Sequence, residues 1–119
     1  MQAEKVNVIL DKSFDFAVRI VKLYKHLTSK KKEYVLSKQL LRCGTSIGAN
    51  VQEAQHGQST PDFAAKMNIA LKESNETLYW IKLLYRTDYI TKKQYESLEK
   101  DILDIKHILI SICKTSHNK

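Results

Sequence analysis

Tyr95 to Ile112 reads YESLEKDILDIKHILISI, and its apolar residues Tyr95, Leu98, Ile102, Ile105, Leu109 and Ile112 follow one another at spacings 3, 4, 3, 4, 3. That is the seam of a helix packed nearly parallel or antiparallel to its neighbours. Just ahead of it, Thr91 with Gln94 three residues on makes a capping-box pattern, so the spacing predicts a helix over 92–114. A helix with one apolar stripe must bury it against other elements, and the rest of the chain has to supply them.

Working backwards, Phe63, Met67, Ala70, Leu71, Ser74, Leu78, Ile81 and Tyr85 mark a helix over 60–87. Ser59 can cap it, Pro61 fits its first turn, and Asp62 suits the positive end of its dipole. Leu36, Leu40, Cys43, Ile47, Val51 and Ala54 mark another over 34–56, stopped near Gly57. Phe16, Ile20, Leu23 and Leu27 mark the first, over 13–28, with Arg19, Lys22 and His26 on the opposite side. Four such helices with short connections predict an all-α, up-down-up-down antiparallel four-helix bundle in which all 119 residues share one domain. Three Gly and one Pro are too few for the turns of a sandwich or barrel, which excludes the all-β classes.

Composition also bounds location. Cys43 and Cys113 are too few for a disulfide framework, no apolar run approaches the length of a membrane span, and the start MQAEK lacks a signal-peptide core. The expectation is a cytoplasmic protein without a membrane partner.

The charge is unevenly placed. Up to Gln52 there are ten basic and four acidic residues, a net +6, and beyond it ten basic and nine acidic, a net +1. Arg19, Lys22, Lys25, Lys30, Lys31, Lys32, Lys38 and Arg42 stand against Glu33 alone, so this window carries +7. A local excess of this kind is an electrostatic footprint for phosphate or another acidic surface; a solvated helix face with a charged loop is the simpler alternative. Arg19, Lys22, Lys25, Lys30, Lys31, Lys32 and Lys38 are the candidate nucleic-acid contacts.

Two further constellations stand out. Arg42, Ser46, Asn50 and Glu53 share a narrow stripe of the second helix, a polar column next to the apolar one, and the arginine calls for carboxylates that Glu53 and either Glu73 or Glu76 of the third helix can supply. The paired carboxylates could instead serve acid–base chemistry or a metal, but an arginine in the column offers them a partner and no histidine stands with them, which favours a structural network. On the third helix Ile69, Glu73, Glu76, Trp80 and Leu83 form a second stripe beside the core stripe. One helix buries only one broad face in its own bundle, so Ile69, Trp80 and Leu83 are expected at a subunit interface, unless the third helix is simply more enclosed than the others.

Catalytic signals are weak. Gly44, Thr45, Ser46, Ile47 and Gly48 spell G-x-S-x-G, yet the nucleophile elbow needs a strand, a sharp turn and a helix on a sheet, whereas here one helical stripe runs through the pentapeptide. Two glycines one turn apart suit the close approach of a neighbouring helix, which offsets the roughly 1 kcal/mol each costs there. Of the histidines, only His117 shares an i, i+4 face with a cysteine, Cys113, and two ligands fall short of a zinc site. No enzyme activity, metal or cofactor is expected.

The stretch Leu36 to Gly57, LSKQLLRCGTSIGANVQEAQHG, with S-x-x-D-F at Ser59 to Phe63 and KESNETLYWIKLL at Lys72 to Leu84, resembles the bacterial four-helix-bundle family encoded in intervening sequences of 23S ribosomal RNA genes. R-x-x-x-S-I-x-x-N-x-x-E, filled by Arg42, Ser46, Ile47, Asn50 and Glu53, and E-S-x-E-T-x-x-W, filled by Glu73, Ser74, Glu76, Thr77 and Trp80, carry the likeness, while Ala54 to Gly57 departs from it. The resemblance implies a ring-like homo-oligomer, a homopentamer, similar to the accessory protein of diversity-generating retroelements, which binds nucleic acid beside a reverse transcriptase. It implies no catalytic activity. Two functions of different class follow: an oligomer that binds RNA or DNA through phosphates, or a structural or protein-interaction module with no nucleic-acid ligand.

Overall fold

A computed structural model describes residues 2–117, with Gln2 and His117 described by their backbone alone. Helix α1 spans Gln2–Ser29, α2 Leu36–Ala54, α3 Thr60–Arg86 and α4 Lys92–His117. Each packs on the next in sequence and α1 packs on α4, while the backbones of the diagonal pairs stay apart, so the four antiparallel helices enclose one core in a square. The bundle measures 46 × 22 × 19 Å. The α1–α2 and α3–α4 connections therefore share one end, and the α2–α3 connection lies at the other.

The core follows the spacings closely on α2 and α4. Leu40, Cys43, Ile47, Val51 and Ala54 are buried from α2, and Leu98, Ile102, Ile105, Leu109 and Ile112 from α4. Two elements differ from the sequence reading. Helix α1 begins at Gln2 rather than near residue 13, because the buried line continues through Ser13 and Ile9, with Val6 and Leu10 packed at the core's edge. Ser13 breaks the apolar pattern for a packing reason: a Cβ on Gly48 would lie 3.2 Å from the Ser13 carbonyl oxygen, and one on Gly44 would lie 3.0 Å from the Ile20 side chain. Small residues on both helices let the backbones of α1 and α2 approach. This is the steric account of the G-x-S-x-G pentapeptide, in which Ser46 sits mid-helix with its hydroxyl donating to the Arg42 carbonyl at 2.6 Å.

On α3 the fully enclosed line is Met67, Ala70, Ser74, Thr77, Ile81 and Leu84, while Phe63, Leu71, Leu78 and Tyr85 only border the core. Thr77 can be buried because its hydroxyl donates to the Glu73 carbonyl at 2.7 Å, which removes the cost of an unpaired polar group. Helix α2 stops at Ala54, and Gly57 follows with a negative φ, so its role is not a left-handed cap. A Cβ there would crowd the Phe63 amide nitrogen at 3.2 Å.

The starts of α3 and α4 match their caps. Ser59 accepts from the Asp62 amide, and Thr91 and Gln94 exchange hydrogen bonds, Gln94 N to Thr91 Oγ1 at 3.1 Å and Thr91 N to Gln94 Oε1 at 2.8 Å. Helix α3 ends in a Schellman turn: Tyr89 N donates to the Leu84 carbonyl and Asp88 N to that of Tyr85, with Asp88 at φ 69° in the place glycine usually holds.

Candidate nucleic-acid interface

The connection between α1 and α2 is organised by its one acid. Glu33 is 8% exposed, and its carboxylate accepts the amide hydrogens of Val35, Leu36 and Ser37 at 3.1, 2.9 and 2.7 Å. These are orphan donors at the start of α2, where a negative charge also meets the positive end of the dipole. Burial alone would raise the Glu33 pKa, but the backbone donors favour the charged form more strongly and the net shift is downward. The sole carboxylate of the basic window is thus turned inward, and the lysines around it keep their field. Lys30, Lys31 and Lys32 are exposed, and Lys32 stands at φ 55°, a conformation that side chains other than those of Asn, Asp and Gly rarely hold.

The two arginines that flank the window behave otherwise. Arg19 pairs with Asp101 of α4 at 2.7 Å and also donates to Ser97. Arg42 pairs with Glu73 at 3.4 Å and with Glu76 of α3. Their charge is neutralised within the bundle. The fold compensates from the second half of the chain, because the α3–α4 turn lies at the same end and carries Lys82, Arg86, Lys92 and Lys93, all exposed. The antiparallel pairings of Arg42 with Glu76 and of Glu53 with Lys66 set the register and place the start of α2 beside the last turns of α3. Taken together, residues 22–41 hold six cations and one carboxylate, and residues 77–96 hold four cations and two carboxylates. This end carries the entire +7, and the remaining residues sum to zero. Among the described residues, none of these ten cations forms an ion pair.

The cations of the α3–α4 turn were hidden in sequence, since Glu53, Asp62, Glu73 and Glu76 dilute them when the second half is summed as one block. The signal for Glu33 was present: a lone acid just ahead of a helical apolar run.

The polar column of α2 is only partly a network. The structure brings Arg42, Glu73 and Glu76 together, and Trp80 Nε1 donates to Glu76 Oε2 at 3.0 Å. Ser46 and Asn50 instead donate to carbonyls one turn earlier on their own helix, those of Arg42 and Ser46. Glu53 pairs with Lys66 at 3.0 Å and stays apart from Arg42. The Arg42 side chain is 52% exposed, so the network lies on the surface of the α2–α3 groove. Along this groove Ile69 is exposed, Trp80 and Leu83 are half-buried, and Tyr79, 59% exposed, meets Trp80 edge to face at 5.0 Å.

Both thiols are buried, Cys43 at α2 and Cys113 at α4, and burial pushes each upward from the ordinary thiol range. The His117 side chain, considered with Cys113 as a metal pair, lies outside the described residues. Among the described residues no three His, Cys, Asp or Glu side chains gather as metal ligands, and no helix is long and apolar enough to cross a membrane.

The family model of the 23S rRNA-intervening sequence protein matches residues 5–111. The chain belongs to this family. Within the 23S rRNA-intervening sequence fold, the two motifs quoted above meet across the α2–α3 groove: Arg42 of the first holds Glu73 and Glu76 of the second, and Trp80 of the second shares Glu76. A crystal structure of a protein of unknown function from the S23 ribosomal protein family of Bacteroides thetaiotaomicron is similar, with 61% identity and a TM-score of 0.91 over 92% of this chain and 98% of that one. No curated protein matches.

Proposed function

We propose that this cytoplasmic, non-enzymatic protein binds the phosphate backbone of RNA or DNA through the loop-bearing end of its bundle, and does so as a ring-like homo-oligomer, a pentamer by family resemblance. The carrying observation is the segregation of charge: the whole +7 lies on 40 residues at one end, the one carboxylate of the α1–α2 segment is internal, and the ten cations form no ion pair among the described residues. A solvating surface has no need of such asymmetry, whereas a polyanion does. Repetition of the end around a ring multiplies a modest charge into a dense field.

The α2–α3 groove supports self-association. Its two carboxylates already have Arg42, so covering Ile69, Trp80 and Leu83 leaves no acid without a partner. A closed ring takes two different faces per subunit, and Phe14, 67% exposed, with Val18 on α1 forms a second apolar ridge on the other flank of α2.

The test is binding of labelled RNA and DNA at several salt concentrations. Affinity falls linearly in log salt, with a slope of about 0.7 to 0.9 per phosphate contacted. Replacing Lys30, Lys31 and Lys32 with Gln lowers that slope by about 2 to 3 without loss of helicity. Absence of binding at low salt would leave the interaction-module reading in its place.

A further inference from the structure

Among the lysines of the loop end stand two largely exposed side chains that carry apolar surface. Tyr34 is 57% exposed and Val35 is 70% exposed, and they lie between Lys30–Lys32 and Lys38. Tyrosine usually finds cover when its ring can reach an apolar neighbour, as Tyr85 and Tyr95 do here by stacking at 4.6 Å. Tyr34 does not.

Its backbone is nonetheless held on both sides. The Glu33 amide donates to the Leu27 carbonyl at 3.0 Å, tying the loop to the end of α1. The Glu33 carboxylate accepts from Val35, Leu36 and Ser37, tying the next residues to the start of α2. Tyr34 is therefore presented from a fixed turn, and little ordering remains to oppose a contact made through its ring. Across the end lie the four cations of the α3–α4 turn, Lys82, Arg86, Lys92 and Lys93.

We propose that the loop end is a platform for single-stranded nucleic acid, with a base stacked on Tyr34 and the flanking phosphates running between the lysines of the α1–α2 loop and the cations of the α3–α4 turn. This rests on the nucleic-acid reading above and names its substrate class. An exposed ring amid cations matches a single strand, whose bases are free to stack. A duplex keeps its bases stacked on each other and offers its phosphates, sugar hydroxyls and groove edges, with no base face for Tyr34 along its length. Tyr34 is an exposed ring beside cations, and a ring face stacks on any base, so the platform takes any sequence that presents an unpaired base.

The experiment compares a labelled 20-nucleotide oligo(U) strand with an RNA duplex of equal length, by fluorescence anisotropy between 50 and 200 mM salt. The single strand binds at least about tenfold more tightly than the duplex. Tyr34→Ala weakens the single strand about 5- to 100-fold and leaves the duplex unchanged, and Tyr34→Phe, which keeps the ring, stays within about twofold of the native protein. Because Tyr34 is exposed and its backbone contacts are untouched, circular dichroism stays the same for both. Gln at Lys82, Arg86, Lys92 and Lys93 together lowers the log–log salt slope for the single strand by about 3. Equal affinity for strand and duplex, or an unaltered single-strand affinity in Tyr34→Ala, overturns the platform while leaving phosphate binding standing. Failure of both probes, and of a DNA strand and duplex of the same length, to bind at 50 mM salt overturns both readings at once.

Discussion

Arg42, on the α2–α3 groove, bonds two carboxylates, whereas one turn earlier Lys38 and the lysines of the preceding loop pair with none among the described residues. Both regions are basic in sequence and both lie at the surface, yet only in one is the cation paired in the fold. The difference separates two uses of charge. Arg42 joins two helices, and its partners sit on the neighbouring one. The ten loop-end cations outnumber the three carboxylates of the same end, and a polyanion is the kind of partner that relieves the remaining repulsion. The groove, where Arg42 holds both carboxylates, is the region free to meet another apolar surface.

The sharpest way to break this comparison is at the groove. Trp80→Glu adds an unpaired charge beside Glu76 and removes the largest ring from the stripe, and light scattering is expected to show the oligomer falling to smaller species. An unaltered mass would mean that Trp80 serves its own bundle alone. The loop-end counterpart is the Lys30, Lys31 and Lys32 substitution, which changes the salt slope and leaves the mass as it was.

Next in size is the device that holds the loop. Glu33→Gln replaces a carboxylate that accepts three amide hydrogens, and denaturant unfolding at pH 7 is expected to lose about 1–2 kcal/mol. The sign with pH follows from the downward pKa shift. A carboxylate held below its unfolded value contributes fully above the ordinary glutamate value of about 4.3, and that contribution is lost as the pH falls through the lower folded value. Native protein and Glu33→Gln should therefore differ in stability at pH 7 and converge in acid. A constant difference down to pH 2 would show that the carboxylate charge is not what holds the turn.

Smaller effects follow at the paired arginine and at the second turn. Arg42→Gln is expected to cost about 1 kcal/mol or less, since a half-exposed pair is well screened, and still less in molar salt. A loss of 3 kcal/mol or more would mean that the groove is covered in the assembled protein. Asp88→Gly relieves a left-handed residue at the Schellman position and should stabilise by about 0.5 kcal/mol, read from the denaturation midpoint.

Most of the architecture was legible without coordinates because it rests on local rules. The seam from Tyr95 to Ile112, the cap at Ser59 and the box at Thr91 and Gln94 each involve residues within a turn or two, so spacing alone locates them. The first eleven residues of α1 escaped that logic because Ser13, at the closest approach to Gly48, answers to a neighbouring helix and looks polar in sequence. Thr77 escaped it likewise, as its hydroxyl is satisfied by its own backbone and the residue behaves as a core side chain.

The candidate site divides along the same line. The sequence by itself determined that the chain folds as four amphipathic helices, that its charge is +7, and that cations crowd between the first helix and the second. Tertiary structure alone decided which of those cations are free. Antiparallel packing hands Arg19 to Asp101 and Arg42 to Glu73 and Glu76, and carries Lys82, Arg86, Lys92 and Lys93 from the far half of the chain to the same end, whereas the turn of Glu33 onto the first amides of α2 is a local cap. The reason is physical: helical periodicity is set within a few residues, whereas the field at a surface sums over every charge that folding brings within about a Debye length, roughly 10 Å, whatever its distance along the chain.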